Sequence, residues 1–166
     1  MRYWTGAVIA FLLAIVQASS VEQFKVLGVS PNLLLVFLVA WLVIRGLDDV
    51  LPMIFVAGVT FSLVGLQSPG LVLLALLPVA GFGVLRELHV VHSDLILVLL
   101  LVFAASLAYE LVILGSIMAT GGPLDVSTAL RATVVPAAMV NVALAPVVYG
   151  MMRFARPAQR RGQLSF

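Results

Sequence analysis

Long apolar runs separated by short polar punctuation divide the chain into six hydrophobic segments, at residues 3–20, 31–46, 50–67, 70–86, 94–119 and 130–152. About 20 predominantly apolar residues let a helix cross a hydrocarbon core of ~30 Å, so these runs predict a bundle of transmembrane helices. Pro31, Pro52, Pro69 and Pro123 fall at or near segment starts or in connections, where a missing N–H costs least. Gly46-Leu47-Asp48-Asp49 and Gln67-Ser68-Pro69-Gly70 are the expected turns on either side of the third segment. The fifth segment is longer than the others: at 1.5 Å per residue it extends about 39 Å and must tilt or protrude.

The last run is punctuated differently. It contains Pro136, Asn141 and Pro146 and ends in the basic tail Arg153, Arg156, Arg160 and Arg161. A carboxamide and proline-freed carbonyls need partners inside a bundle, so this helix is expected to pack against its neighbours.

Composition narrows the class. The 166 residues are 63% hydrophobic and 10% charged, with a mean hydropathy of +1.23. Soluble domains run near 45–50% apolar and about 25% charged, so the expectation is a single all-α, polytopic membrane domain with almost no extramembrane mass. The net charge of +2 comes from a few flanking arginines and not from a basic surface, which argues against a nucleic-acid partner. With no cysteine, disulfides, thiolate metal sites and cysteine nucleophiles are excluded.

Charge placement orients the helices. Six spans with the basic tail inside put Arg2, Arg45, Arg86, Arg153, Arg156, Arg160 and Arg161 on the cytoplasmic side, leaving only Lys25 and Arg131 outside. Both termini are therefore expected in the cytoplasm, the chain being a multi-pass membrane protein. Met1-Arg2, the apolar Trp4–Val16 and Ala18-Ser19-Ser20 imitate a signal peptide. Because the rest of the chain continues as membrane spans, this stretch is read as a first helix that stays.

Glu110 is the sharpest chemical feature, sixteen residues into the fifth segment and far from either end. An ionisable group there costs roughly 2.5–3.5 kcal/mol on insertion scales and faces the bundle or a watery cavity. Ser106 lies one turn earlier on its face, Tyr109 is its neighbour, and an Asn141–Glu110 hydrogen bond is expected between the fifth and sixth helices. The structural reading, a carboxyl satisfying a packing contact, outweighs a proton-carrying or ligand role. Gly58, Ser62 and Gly65, and Ala104 with Ala108, offer small-residue surfaces for helix packing or for a partner. His89 and His92, flanked by Glu87 and Asp94, are too sparse a set to argue a metal, and no cofactor motif occurs. Neither a nucleophile motif nor a phosphate-binding glycine loop is present, so the chain is not expected to be an enzyme.

Several stretches carry a resemblance. Ser30-Pro31-Asn32 opening an apolar run, Gly58 to Gly65 followed by Ser68-Pro69-Gly70-Leu71, Tyr109-Glu110, and Asn141 with Pro146 before Met152-Arg153 resemble the MreD family. In that family's pattern an acidic residue stands between the two glycines, where this chain has Ser62. Glu110 is then the only carboxylate deep in the membrane, which favours packing over proton transfer.

The resemblance implies a non-catalytic scaffold of the bacterial rod-shape (elongation) complex, supporting peptidoglycan synthesis and cell-shape control. Its implied partners are MreC, a RodA-type glycosyltransferase and a class B penicillin-binding protein, reached directly or through MreC, besides membrane lipid. Partner helices would meet the Gly58/Ser62/Gly65 face or the aromatic residues Trp4, Phe11, Phe37 and Trp41. A rival reading is the substrate-binding (S) subunit of an energy-coupling-factor vitamin transporter, whose general six-helix architecture is similar. Glu110, Asn141 and Tyr109 would then line a ligand pocket open to the outside.

Overall fold

Each of the six apolar runs forms a helix, and among the described residues no strand occurs. The computed structural model describes residues 2–19, 25, 28–65, 68–87, 93–121 and 125–154. His89, His92, Arg156, Arg160 and Arg161 lie outside the described residues, as do the side chains of Trp4 and Arg86. The helices are α1 Arg2–Ser19, α2 Leu33–Arg45, α3 Leu47–Gly65, α4 Pro69–Glu87, α5 Asp94–Ala119 and α6 Val126–Phe154.

Two boundaries differ from the expected ones. The turn expected over Gly46–Asp49 shrinks to Gly46 alone, whose φ of +105° suits a residue without a Cβ. Leu47, Asp48 and Asp49 instead start α3, where two carboxylates meet the positive end of the helix dipole. Pro52 consequently lies inside α3 and not at its start. The last helix begins at Val126, four residues before the expected start. Asp125 caps it, accepting hydrogen bonds from the Ser127 N–H at 3.0 Å and the Thr128 hydroxyl at 2.7 Å. The Thr128 bond, with those from Ser127, holds the exposed Asp125 carboxyl below its usual pKa.

A π-helical turn, Leu130–Val134, interrupts α6, closed by the Val135 N–H on the Leu130 carbonyl. It ends just before Pro136, which has no N–H to give and whose ring would crowd an α-helical turn behind it. At the other short connection, Ser68 caps α4 by accepting the Leu71 N–H, and Pro69 takes the first helical position.

α2 lies at the centre. Leu34 to Ala40, Leu42 and Val43 are all buried, and α1, α3, α4, α5 and α6 each pack on it. Its sequence, apolar on every face, suits no other place. α1 lies along α3, and α5 along α6. Gly58 of α3 lets α4 approach: a Cβ there would come within 2.6 Å of the Leu73 Cδ2.

Successive helices alternate in direction. Asn32 at the start of α2, Phe61 late in α3, Val72 early in α4 and Tyr109 of α5 line one narrow crevice. At the opposite end the Arg45 guanidinium stands over the Trp41 ring, and the Tyr149 hydroxyl approaches the Asp94 carboxylate at 3.5 Å.

The exterior is apolar. Phe11 and Leu12 of α1, Leu74 and Leu77 of α4, Leu100 of α5 and Met139 and Met151 of α6 are all exposed. α3, α5 and α6 are long and apolar enough to cross a membrane. The chain is a membrane protein, and its outer helix faces suit hydrocarbon. Against lipid tails the hydrophobic effect no longer favours helix association, so close packing and interhelical hydrogen bonds hold the bundle together.

A polar junction and a charged cavity as the candidate functional site

The central helix creates the problem that the site solves. With 13 residues, α2 is about 20 Å long, against 18 to 29 residues in the helices packed around it. The non-helical Ser30-Pro31-Asn32 that leads into it is therefore drawn into the bundle, where Pro31 is buried. Backbone of that kind is tolerated at membrane depth only when protein groups or a watery cavity satisfy it.

Three side chains from three different parts of the chain do so. Asn141 of α6 accepts the Asn32 N–H on its Oδ1 at 2.7 Å and donates through Nδ2 to the Ser106 hydroxyl of α5 at 3.0 Å. Gln17 of α1 accepts the Leu33 N–H at 2.9 Å and donates to the Pro31 carbonyl at 2.9 Å. The Asn32 side chain accepts the Leu35 N–H at 3.0 Å, capping its own helix. Of the four amides a helix start leaves without intrahelical partners, three are thus bonded to side chains. Gln17, Ser106 and Asn141 are all buried, and each satisfied group avoids a penalty of about 1–3 kcal/mol.

This arrangement corrects the expected Asn141–Glu110 bond: Asn141 is bonded to Ser106 and to the Asn32 backbone instead. The missed partner is the loop before α2, which α6 reaches because α2 is its neighbour in the bundle. Glu110 stands one turn beyond Ser106, half-buried, and among the described residues it accepts no hydrogen bond. It lies between two cavities. One, of about 380 Å³, is lined by Gln17, Lys25, Ser30, Asn32, Tyr109 and Glu110, with Phe61 and Ile113. The other, of about 260 Å³, lies between α5 and the start of α6, with the apolar Ile113, Leu114, Ile117, Ala129 and Val134 and the hydroxyl of Thr133. Glu110 and Ile113 are common to both walls.

The other residues singled out from the sequence are dispersed. Gly58 and Ser62 are buried, with Gly58 against Leu73 of α4, so this part of the small-residue face is covered by the chain itself. Gly65 is half-buried near Ala18 of α1. Phe37 is also buried, its ring 5.4 Å from that of the half-buried Trp41, while Phe11 is exposed. Ala104 and Ala108 are half-buried on α5; Pro136 is half-buried and Pro146 exposed on α6. Arg45 stacks on Trp41 while Arg153 is exposed.

Gln17 escaped the sequence reading, and Lys25 entered it only as an outer-loop charge. The signal for Gln17 is a single amide near the end of the first apolar run, which acquires meaning only when paired with the loop thirteen residues later. Among the described residues no group of three or more potential metal ligands comes together. No family model, no curated protein and no solved structure matches the chain.

Proposed function

We propose that the chain is a non-catalytic, MreD-like scaffold of the bacterial rod-shape complex. It crosses the cytoplasmic membrane six times with both termini inside, and works with MreC, a RodA-type glycosyltransferase and a class B penicillin-binding protein. The observation that carries this reading is the bond between Asn32 and Asn141. Two of the stretches that carry the resemblance, the Pro-Asn opening of α2 and the Asn-x-x-x-x-Pro ending of α6, meet at one hydrogen-bonded junction. A polar device serving only to seat a short central helix is what a structural subunit needs. Depletion of the protein in its own rod-shaped host is expected to give round, swollen cells. Unchanged rods with a growth requirement for a vitamin would overturn the proposal.

The second reading, a vitamin-transporter binding subunit, draws support from the cavity beside Glu110 and Tyr109. It also requires Asn141 to face the ligand, and that carboxamide is bonded to Ser106 and Asn32 and is not among the residues lining this cavity. The scaffold is the better supported of the two.

A further inference from the structure

Charge is balanced at both ends of the bundle and unbalanced only beyond it. At the end that holds Arg45 and Asp94, the basic Arg2, Arg45, Arg86 and Arg153 are matched in number by Asp48, Asp49, Glu87 and Asp94. At the opposite end Glu22 and Asp125 match Lys25 and Arg131. What remains, Glu110 aside, is Arg156, Arg160 and Arg161, which follow α6 with no acidic residue anywhere after Asp125. The last turn of α6 leads into this run from the outside of the bundle, since Met151 and Arg153 are exposed and Phe154 is 92% exposed. Pro157 lacks the N–H that a continuing helix would use. Because α6 is long and apolar enough to cross a membrane, its end brings the run to a membrane surface.

We propose that the run from Arg153 to Arg161 binds anionic phospholipid head groups at that surface. Its guanidinium groups donate paired N–H bonds to phosphate oxygens, a geometry suited to the planar arginine fork. Neither end of the bundle has carboxylates to spare for these arginines, so the counter-charge comes from lipid. A zwitterionic head offers the same phosphate but offsets its charge with its own ammonium, which selects an anionic lipid over phosphatidylcholine. The apolar Phe154 ring, already outside the bundle, holds the start of the run at the edge of the hydrocarbon. The proposal requires that α6 reach the membrane surface; it is independent of the scaffold reading and of the side on which the C-terminus lies.

The chain has no cysteine, so Gln159→Cys gives the full-length protein a single site for a spin label within the run. The protein is reconstituted in vesicles of phosphatidylcholine alone, or with about one lipid in four replaced by phosphatidylglycerol. The spectrum is expected to show a restricted component that grows at least tenfold relative to the free one when phosphatidylglycerol is present. Phosphatidylserine should serve equally well, and salt at about 1 M, where the screening length falls to ~3 Å, should release the label. Arg156→Gln, Arg160→Gln and Arg161→Gln should each lower the bound-to-free ratio about fivefold, equivalent to about 1 kcal/mol, with thermal unfolding of the bundle unchanged. Identical spectra in the two kinds of vesicle would overturn the proposal, as would a restricted component that survives removal of all three arginines. A salt-sensitive restricted component already present in phosphatidylcholine alone would also overturn it, assigning the arginines to carboxylates of the protein itself.

Discussion

Asn141 and Asn32 stand 109 residues apart in the chain, yet the side-chain oxygen of one accepts the backbone N–H of the other at 2.7 Å. Through Ser106 the same carboxamide joins α5, so one residue ties three helices at the start of the central one. Removing it leaves a buried amide and a buried hydroxyl without partners. Asn141→Ala is expected to destabilise the protein by about 1–3 kcal/mol in a denaturant titration in mild detergent.

The same bond predicts which residues couple. In double-mutant cycles Asn141→Ala and Ser106→Ala should be non-additive, because each removes the same interaction. Asn141→Ala and Glu110→Gln should add to within about 0.5 kcal/mol, since neither is bonded to the other. A coupling well above that value between Asn141 and Glu110 would restore a direct contact.

Gln17 holds the other side of the loop through two bonds, to the Pro31 carbonyl and the Leu33 amide. Gln17→Leu keeps the approximate volume and deletes both. It should cost about 2 kcal/mol and speed hydrogen exchange at Leu33, while amides in the middle of α2 remain protected. Uniform exchange along α2 would mean that the junction does not seat the helix.

The α3–α4 contact predicts a contrast between two glycines. A Cβ at Gly58 meets the Leu73 side chain at 2.6 Å, whereas one at Gly81 meets nothing within 4 Å. Gly58→Val should destabilise by about 1–3 kcal/mol through overpacking. Gly81→Ala should be neutral or stabilising by up to about 1 kcal/mol through helix propensity. Equal effects would argue against a close crossing at Gly58.

Asp125 makes the start of α6 sensitive to acid. Its folded-state pKa is depressed, so the unfolded chain binds the proton more readily and the cap's contribution is present above the ordinary aspartate value. That contribution is lost as the pH falls through the lower folded value. Fraying of Val126–Ala129, followed by the Ser127 amide resonance, is expected only at strongly acidic pH and should lose its titration in Asp125→Asn. A transition near neutrality would point to another group.

The six helices were legible because the length of an apolar run alone separates a helix from a connection. Their ends were less so. Gly46 performs in one residue what four residues of turn chemistry suggested, because its positive φ reverses the chain while Asp48 and Asp49 serve better inside a helix start. The four extra residues at the start of α6 and its π turn depend on how Asp125 and Pro136 act together over eleven positions, a coupling no local pattern displays. Asn141 and Ser106 were recognisable as buried polar groups from their place in apolar runs. The error lay in the partner: the deepest acid was the obvious choice, while the real acceptor's counterpart was a backbone amide, which carries no signature in the sequence. Gln17 was illegible for the same reason.

The most direct test of the scaffold account is affinity purification of the tagged protein from its host in mild detergent, with mass spectrometry of co-purifying proteins and small molecules. The account predicts stoichiometric recovery of an MreC-like coiled-coil membrane protein with the glycosyltransferase and penicillin-binding protein, and no vitamin. Recovery of a bound vitamin-sized molecule together with ATPase subunits would contradict it.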